Sequence, residues 1–267
     1  MATALRHLPN APRAVRAAGR DAAATRAALA RSAPVTSLDH PIGPGRQLAV
    51  IRRPLEQVRQ AGHAHGATVN DVLLTAVAGG LHELLVGRGE PVKGLELRVS
   101  VPVGAPGRAR NAGGSTPMVL QLPVGHLDPV SRLTRIAAVT RAAKAGRDRH
   151  YRGVLASPLP TSLLRLGVRW LRRHGGTKVN LYVTNVPGPP QPLWLAGARL
   201  RTAVPIAPLV AGVPLAVAAL SYAGELVISI QVDDALADLD TLAAGVADHL
   251  DRLTASGRLP AIAGRRG

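Results

Sequence analysis

Between Thr68 and Gly87 the chain reads TVNDVLLTAVAGGLHELLVG, and Val69, Leu73, Val77, Leu81 and Leu84 recur every three or four residues, as one face of an α-helix does. Val72, Leu74, Ala78 and Leu85 widen that stripe. A helix with so little polar surface is expected to be buried over most of its circumference. Thr68 stands three residues before Asp71, the spacing of a capping box, in which the hydroxyl and the carboxylate satisfy orphan backbone donors at the positive end of the helix. The pattern therefore predicts a helix with a sharp start at Thr68.

The same reading along the chain predicts strands at 47–53, 95–103, 118–124, 179–183, 198–204, 215–221 and 226–232. Helices are predicted at 54–65, 68–86, 129–146, 157–173 and 239–253, with a Gly-, Arg- and Asn-rich loop at 104–115. Strands and helices mixed without a regular βαβ rhythm point to an α+β fold built on a mixed sheet. The strand beginning at Val179 runs into Thr184-Asn185-Val186-Pro187-Gly188-Pro189. Pro187 fixes φ, and Gly188 is expected to supply the positive φ of a type II turn, holding Asn185 at the end of the strand.

Composition narrows the possibilities. The 267 residues are 46% hydrophobic but only 2% aromatic, with no Phe, so Leu, Val and Ala must fill the core. The absence of cysteine excludes disulfides, thiolate metal sites and a cysteine nucleophile. The longest apolar stretch, 204–220, is broken by Pro205, Pro208 and Pro214, so it reads as loop and strand and not as a membrane span. The Ala/Arg-rich, acid-poor N-terminal segment superficially resembles an organellar transit peptide, but the same bias pervades the chain.

The net charge of +17 is concentrated in two blocks. Residues 1–53 carry nine Arg against Asp21 and Asp39, and residues 132–178 carry twelve basic residues against Asp148 alone. Within the second block, Leu159, Leu163, Leu166 and Trp170 form a helical stripe flanked by Arg165, Arg169, Arg172 and Arg173. Such a basic amphipathic pattern suits an anionic membrane surface, and it equally suits a core-covering helix with solvated arginines. Nucleic acid is disfavoured, because single-strand recognition wants stacking aromatics and only three Tyr and two Trp are present.

The phrases Thr68-Val69-Asn70-Asp71 and Thr184-Asn185-Val186-Pro187-Gly188-Pro189, with Leu193-Trp194-Leu195-Ala196-Gly197-Ala198-Arg199-Leu200 and Leu220-Ser221-Tyr222-Ala223-Gly224-Glu225-Leu226, carry a resemblance. From about Pro41 to Leu253 the chain resembles the C-terminal half of the bacterial wax ester synthase/diacylglycerol acyltransferase family. That resemblance implies one mixed-sheet half of a two-domain, chloramphenicol-acetyltransferase-like, CoA-dependent acyltransferase fold. Residues 1–40 would then connect the halves, 41–255 form the domain, and 256–267 form a flexible tail. Pro192-Leu193-Trp194 matches the family's PLW tripeptide but in a different place, so that role is not transferred.

The first half of family members carries a His-His-x-x-x-Asp-Gly motif whose second histidine serves as general base on the acceptor hydroxyl. That string does not occur here, and His63-Ala64-His65 lacks the Asp-Gly at the required offset. The resemblance thus implies no catalytic residue in this chain, no metal and no bound cofactor, with acyl-CoA as substrate and a lipid alcohol or diacylglycerol as acceptor. Asn70, Asp71, Asn185, Pro187 and Gly188 are implied on the acceptor side or tunnel, and a catalytic N-terminal half is an implied partner in trans. A cytoplasmic protein, peripheral at a membrane or lipid body, is expected.

Each residue also has a plainer role: Asp71 as a helix cap, Asn185 and Gly188 as turn builders, His63 and His65 as favourable residues near a helix C-terminus. Three readings follow: half of an O-acyltransferase, a non-catalytic lipid- or partner-binding module, and a fragment of a peptide-synthetase condensation domain. The TVNDVLL and TNVPGP phrases favour the first over the third.

Overall fold

The computed structural model describes residues 32–104, 115–125, 127–154, 179–209 and 212–256. In chain order the elements are β1 (Arg46–Pro54), α1 (Leu55–Ala64), α2 (Val69–Gly87), β2 (Glu96–Gly104), β3 (Ser115–Pro123) and α3 (Pro129–Val154). There follow β4 (Leu181–Pro187), the short strands β5 (Trp194–Leu195) and β6 (Ala198–Arg199), then β7 (Leu215–Tyr222), β8 (Glu225–Asp233) and α4 (Leu239–Ser256). Six strands form one mixed sheet in the order β1-β8-β7-β4-β2-β3. The central β7, β4 and β2 run parallel, and β1–β8, β7–β8 and β2–β3 pair antiparallel.

Because side chains alternate across a strand, Leu97 and Val99 of β2, Leu181 and Val183 of β4, Leu215 and Val217 of β7, and Ile228 and Ile230 of β8 share one face. They form a single buried cluster with Val72, Leu73, Leu81 and Leu84 of α2 and Leu242, Val246 and Leu250 of α4. The helices thus cover this face. The reverse face is mixed: Ser100, Tyr182, Thr184, Ala216, Ala218, Ser229 and Gln231 share it with Leu48, Val50, Val119, Val186 and Leu220. Part of it is covered by the segment after β6, since Ser229 donates its hydroxyl to the Pro205 carbonyl.

The parallel strands define two ends. At the upper end β2, β4 and β7 terminate; at the lower end Glu96 pairs with Pro123, and Arg46 pairs with Asp233. Helix α2 finishes at the lower end, where Arg88 clamps Asp238 at 2.7 Å just before α4 and donates to Ser37 Oγ. At about 1.5 Å per residue its 19 residues span ~28 Å. Its N-terminus therefore lies at the upper end. Helix α4 runs the other way, reaching the upper end where Asp251 accepts a two-pronged contact from Arg53 at the end of β1.

The two antiparallel helices meet through glycine. A Cβ on Gly80 would stand 2.8 Å from the Val246 nitrogen and 2.9 Å from the Leu242 carbonyl oxygen, and one on Gly245 would stand 2.9 Å from the Gly80 Cα. Beside this crossing, the His249 ring lies over Gly79, 4% exposed, with both ring nitrogens unpartnered among the described residues and Glu83 Oε1 3.6 Å away. Arg132 of α3 is also buried, donating Nη2 to the Gly125 carbonyl. Burial first, then the positive charges of Arg132 and Arg252, hold the His249 imidazole below its ordinary range, with Glu83 and Asp248 opposing. Burial likewise lowers the Arg132 guanidinium.

The structure corrects parts of the sequence reading. The strand expected at 198–204 shrinks to two residues, Ala198 and Arg199, paired with Trp194 and Leu195. Its continuation cannot enter a ladder: Pro205 and Pro208 lack the donor, and Leu200 is taken by Leu193 and by the Tyr222 hydroxyl. Helix α3 runs to Val154, beyond the predicted end at 146. The predicted helix at 157–173, with Arg165, Arg169, Arg172 and Arg173, lies outside the described residues, as do residues 1–31 and the 257–267 tail. Helix α2 itself is long and apolar enough to cross a membrane, but most of it is buried inside this domain.

Two outcomes follow for stability. In Gly80→Ala the helix gains propensity, but the new methyl meets backbone on α4 that cannot rotate away, so a net loss of about 1–3 kcal/mol is expected. Gly87→Ala, where nothing lies within 4 Å, should gain up to about 1 kcal/mol. Thermal melts of the two variants shifting in the same direction would contradict the glycine crossing.

For His249, the unfolded imidazole binds a proton more readily than the folded one, so stability is full above pH ~6.5 and falls as pH drops through and below that value. Urea titrations between pH 7.5 and 5 should show a drop in the wild-type chain that is reduced in His249→Gln. An identical pH slope in both would remove His249 as its source.

Candidate functional site

The two phrases singled out in the sequence lie at the same, upper end of the sheet, where α2 begins and β4 ends. At the first of them, Thr68 is the N-cap of α2 and the capping box is complete. Asp71 Oδ2 accepts from the Thr68 backbone N–H at 2.8 Å and from the Thr68 hydroxyl at 2.7 Å. Its other oxygen accepts from Thr140 of α3 at 2.6 Å, and the side chain is 2% exposed. Both oxygens of the carboxylate are thus engaged in fastening the start of α2 to α3. Thr140 was absent from the sequence reading; the only signal for it was a hydroxyl inside the apolar run Ile136-Ala137-Ala138-Val139-Thr140.

Asn70 occupies the second helical position, half-buried, beside the free N–H groups of the first turn. Its side-chain amide makes no hydrogen bond among the described residues. Asn185 lies opposite Ala219 in the β4–β7 ladder, two residues before the strand ends. It shares the helix-side face with Leu181 and Val183 but is only half-buried, and its amide too has no hydrogen-bond partner among the described residues. The structure therefore brings Asn70 and Asn185 to one end and one side of the sheet, without a hydrogen bond between them.

Gly188 is needed for a different reason than the sequence suggested. It is not among the residues with positive φ, so the type II turn is not formed. A Cβ there would lie 2.2 Å from the Ser221 carbonyl oxygen; the glycine lets the strand exit pass over β7, and its N–H donates to Ser221 Oγ at 3.2 Å. Pro187, opposite Ser221 and exposed, closes the strand. Across from it, the β7–β8 turn does use positive φ, Ala223 at 47° and Gly224 at 89°, with Ala223 N–H reaching the Pro189 carbonyl.

Tyr222, at the end of β7, was likewise missed. Its hydroxyl accepts from the Leu193 N–H at 2.8 Å and donates to the Leu200 carbonyl at 2.8 Å, pinning both feet of the β5–β6 ribbon. Tyr182, three residues before Asn185 on the strand and on the reverse face, has its phenol pushed up by burial.

His63 and His65 end α1 a few residues before Thr68; His63 is exposed and His65 Nε2 is buried without a partner among the described residues. No group of three His, Cys, Asp or Glu among the described residues is placed to hold a metal ion. A cleft of about 400 Å³, lined by Ser32, Pro34, Glu96, Arg98 and Gln121, opens near the lower end and includes none of the residues singled out in the sequence.

Comparison with known proteins gives the family and the fold. The WS/DGAT C-terminal domain family matches residues 115–254, and the wax ester synthase/diacylglycerol acyltransferase catalytic domain family matches residues 1–73. A probable diacylglycerol O-acyltransferase of Mycobacterium tuberculosis is 34% identical over 241 residues, covering 87% of this chain and 52% of its own length. The wax ester synthase/diacylglycerol acyltransferase of Marinobacter aquaeolei VT8 shares the fold, with a TM-score of 0.67 at 23% identity over 95% of this chain and 58% of that one. The condensation domain of an enacyloxin polyketide synthase superposes less well, with a TM-score of 0.55 at 15% identity over 90% of this chain and 48% of that one. The chain spans about half the length of the curated relatives it matches. With its C-terminal domain model matching more than half of the residues, this chain belongs to the wax ester synthase/diacylglycerol acyltransferase family.

Proposed function

We propose that this chain supplies the acceptor side of an acyl-CoA-dependent O-acyltransferase that makes triacylglycerol or wax esters, and that the general base comes from a separate catalytic half. The single observation that carries the reading is the pair of uncommitted amides, Asn70 and Asn185, at the end of the sheet where the positive pole of α2 emerges. In the reaction the acceptor hydroxyl adds to the thioester carbonyl, the base takes its proton, and the carbon–sulfur bond breaks to release CoA thiolate, which recovers the proton. Asparagine amides and a helix N-terminus can hold the carbonyl oxygen as it gains negative charge, or orient the acceptor. Neither can take the hydroxyl proton. A positioned base is worth on the order of 10² to 10⁴ in rate, and no His-His-x-x-x-Asp-Gly string occurs in these residues.

On this reading Asp71 is a positioning residue: it holds the start of α2, and with it Asn70, against α3 through Thr140. The protein would act in the cytoplasm or peripherally at a membrane or lipid body. Residues 149–224 contain no Asp or Glu, which leaves Arg165, Arg169, Arg172 and Arg173 without local acidic competition for anionic headgroups.

Three outcomes test this. The purified chain alone should show no acyl-CoA:diacylglycerol transfer; turnover unaffected by His63→Ala and His65→Ala, and tracking some other residue of the chain, would overturn the half-enzyme reading. With a catalytic half supplied in trans, Asn70→Ala or Asn185→Ala should lower specific activity by about 5- to 150-fold, equivalent to roughly 1–3 kcal/mol, with little change in melting temperature. Asp71→Ala should instead lose about 0.5–2 kcal/mol of stability with its cap. If the asparagine variants melt early and keep full specific activity, they are structural only. Finally, binding to anionic vesicles should exceed binding to neutral ones and weaken with salt, and equal binding to both would leave the Arg-rich stretch without a membrane role.

A further inference from the structure

Three helices each send an ionisable side chain to one place: Glu83 from α2, Arg132 from α3 and His249 from α4. Arg132 is the largest of the fully buried side chains, yet only Nη2 has a partner, the Gly125 carbonyl; Nε and Nη1 have none among the described residues. Neither ring nitrogen of His249 has one, and Glu83 Oε1, on a half-exposed side chain, stops 3.6 Å from His249 Nε2. A buried nitrogen without a partner forfeits the hydrogen bonds it made with water. The surrounding core is Leu, Val, Ile and Ala, and apolar side chains of similar volume would be the more stable filling. Four unmatched nitrogens therefore weaken the docking of α3 on α2 and α4, and they place that weakness where α3 begins.

The charges decide how the cluster responds to acid. Around His249 stand Glu83 from α2, Arg132 from α3, and Asp248 and Arg252 from its own helix; Glu83 and Asp128 act on Arg132. His82 of α2 faces the loop before α3 instead, its Nδ1 2.9 Å from the Val124 carbonyl oxygen. While His249 is neutral, Arg132 is the one buried cation beside Glu83. A proton on His249 puts a second cation there, and repulsion then favours any arrangement that carries Arg132 into water, which means lifting the start of α3. Thr140 lies about 12 Å further along that helix. Its hydroxyl holds one oxygen of Asp71, whose other oxygen closes the cap of α2 beside Asn70. We propose that Arg132 and His249 form an acid-sensitive latch for α3, positioning residues that set Asn70 through Thr140 and Asp71, and that protonating His249 releases α3 and loosens the acceptor side. For its effect on transfer the proposal rests on the acceptor-side reading above; the latch itself rests on the helix contacts alone.

Amide hydrogen exchange on the whole chain at pH 7.5 and 5.5, corrected for intrinsic rates, tests the latch in wild type, His249→Gln and Arg132→Met. In wild type the α3 amides from Leu133 to Thr140 should open more readily than those of β7 and β8. Their opening equilibrium should rise about tenfold from pH 7.5 to 5.5, because an imidazole freed by lifting α3 takes up its proton near its ordinary value of about 6.5. His249→Gln should abolish that rise, and Arg132→Met should reduce it and make opening rarer at pH 7.5. Exchange of the α3 amides only together with those of β7 and β8, or an undiminished rise in His249→Gln, would overturn the latch. With a catalytic half supplied in trans, kcat should fall between pH 7.5 and 5.5 by roughly threefold or more beyond the fall in His249→Gln, with KM little changed. Equal falls in both would overturn the latch's role at the site even where exchange shows α3 lifting. No transfer by either at any pH would overturn the acceptor-side reading and that role together, with exchange alone then deciding the latch.

Discussion

The crossing of α2 and α4 at Gly80 and Gly245 is the contact on which the rest of the molecule depends. Backbone meets backbone there, so the two helices lie closer than side chains between them would permit. That closeness lets one layer of two antiparallel helices cover the parallel centre of the sheet with a core made of Leu, Val, Ile and Ala. A chain without Phe and with only five aromatic residues has few large rings with which to fill a wider gap. The same crossing sets the height of α2 against the strands, and therefore where its capped N-terminus emerges beside the end of β4.

How much of this was legible in the sequence depended on how local the cause was. The start of α2 was fully legible, because Thr68 and Asp71 are three residues apart and the capping box needs nothing else. Short apolar runs bounded by turn residues, such as β7 and β8, were found to within a residue or so. The strand expected at 198–204 failed because its fate is decided by Tyr222, some twenty residues downstream, which takes the Leu200 carbonyl out of any ladder. Gly188 was identified for the wrong reason: a preference for positive φ can be read from a glycine's neighbours, whereas a close approach to Ser221 exists only once β4 and β7 are paired. Thr140 and Asn180 were invisible for the same cause, each serving a partner more than sixty residues away.

At the candidate site the same division separates what is structural from what is available. Asp71 has every oxygen engaged, and its burial makes that engagement stringent, since a buried carboxylate short of donors is costly. Asn70, one residue earlier and half-buried, has no hydrogen bond to its amide among the described residues. The pairing makes physical sense: a site that must present a donor to a transient charge needs that donor held by its backbone, with the side chain free. The capping box supplies the backbone restraint, and β4–β7 pairing supplies it for Asn185.

The layer arrangement explains why the apolar surface of this chain is where it is. Helices cover one face of the sheet, whereas the reverse face mixes Ala, Ser and Thr with Leu48, Val50, Val119, Val186 and Leu220. Large apolar groups are exposed on that reverse face, at Leu48, Val50, Val119 and Val186, and on the ribbon, at Trp194 and Leu195. The ribbon has no core of its own, so its placement rests on the buried tyrosine of β7, whose hydroxyl bonds both of its feet.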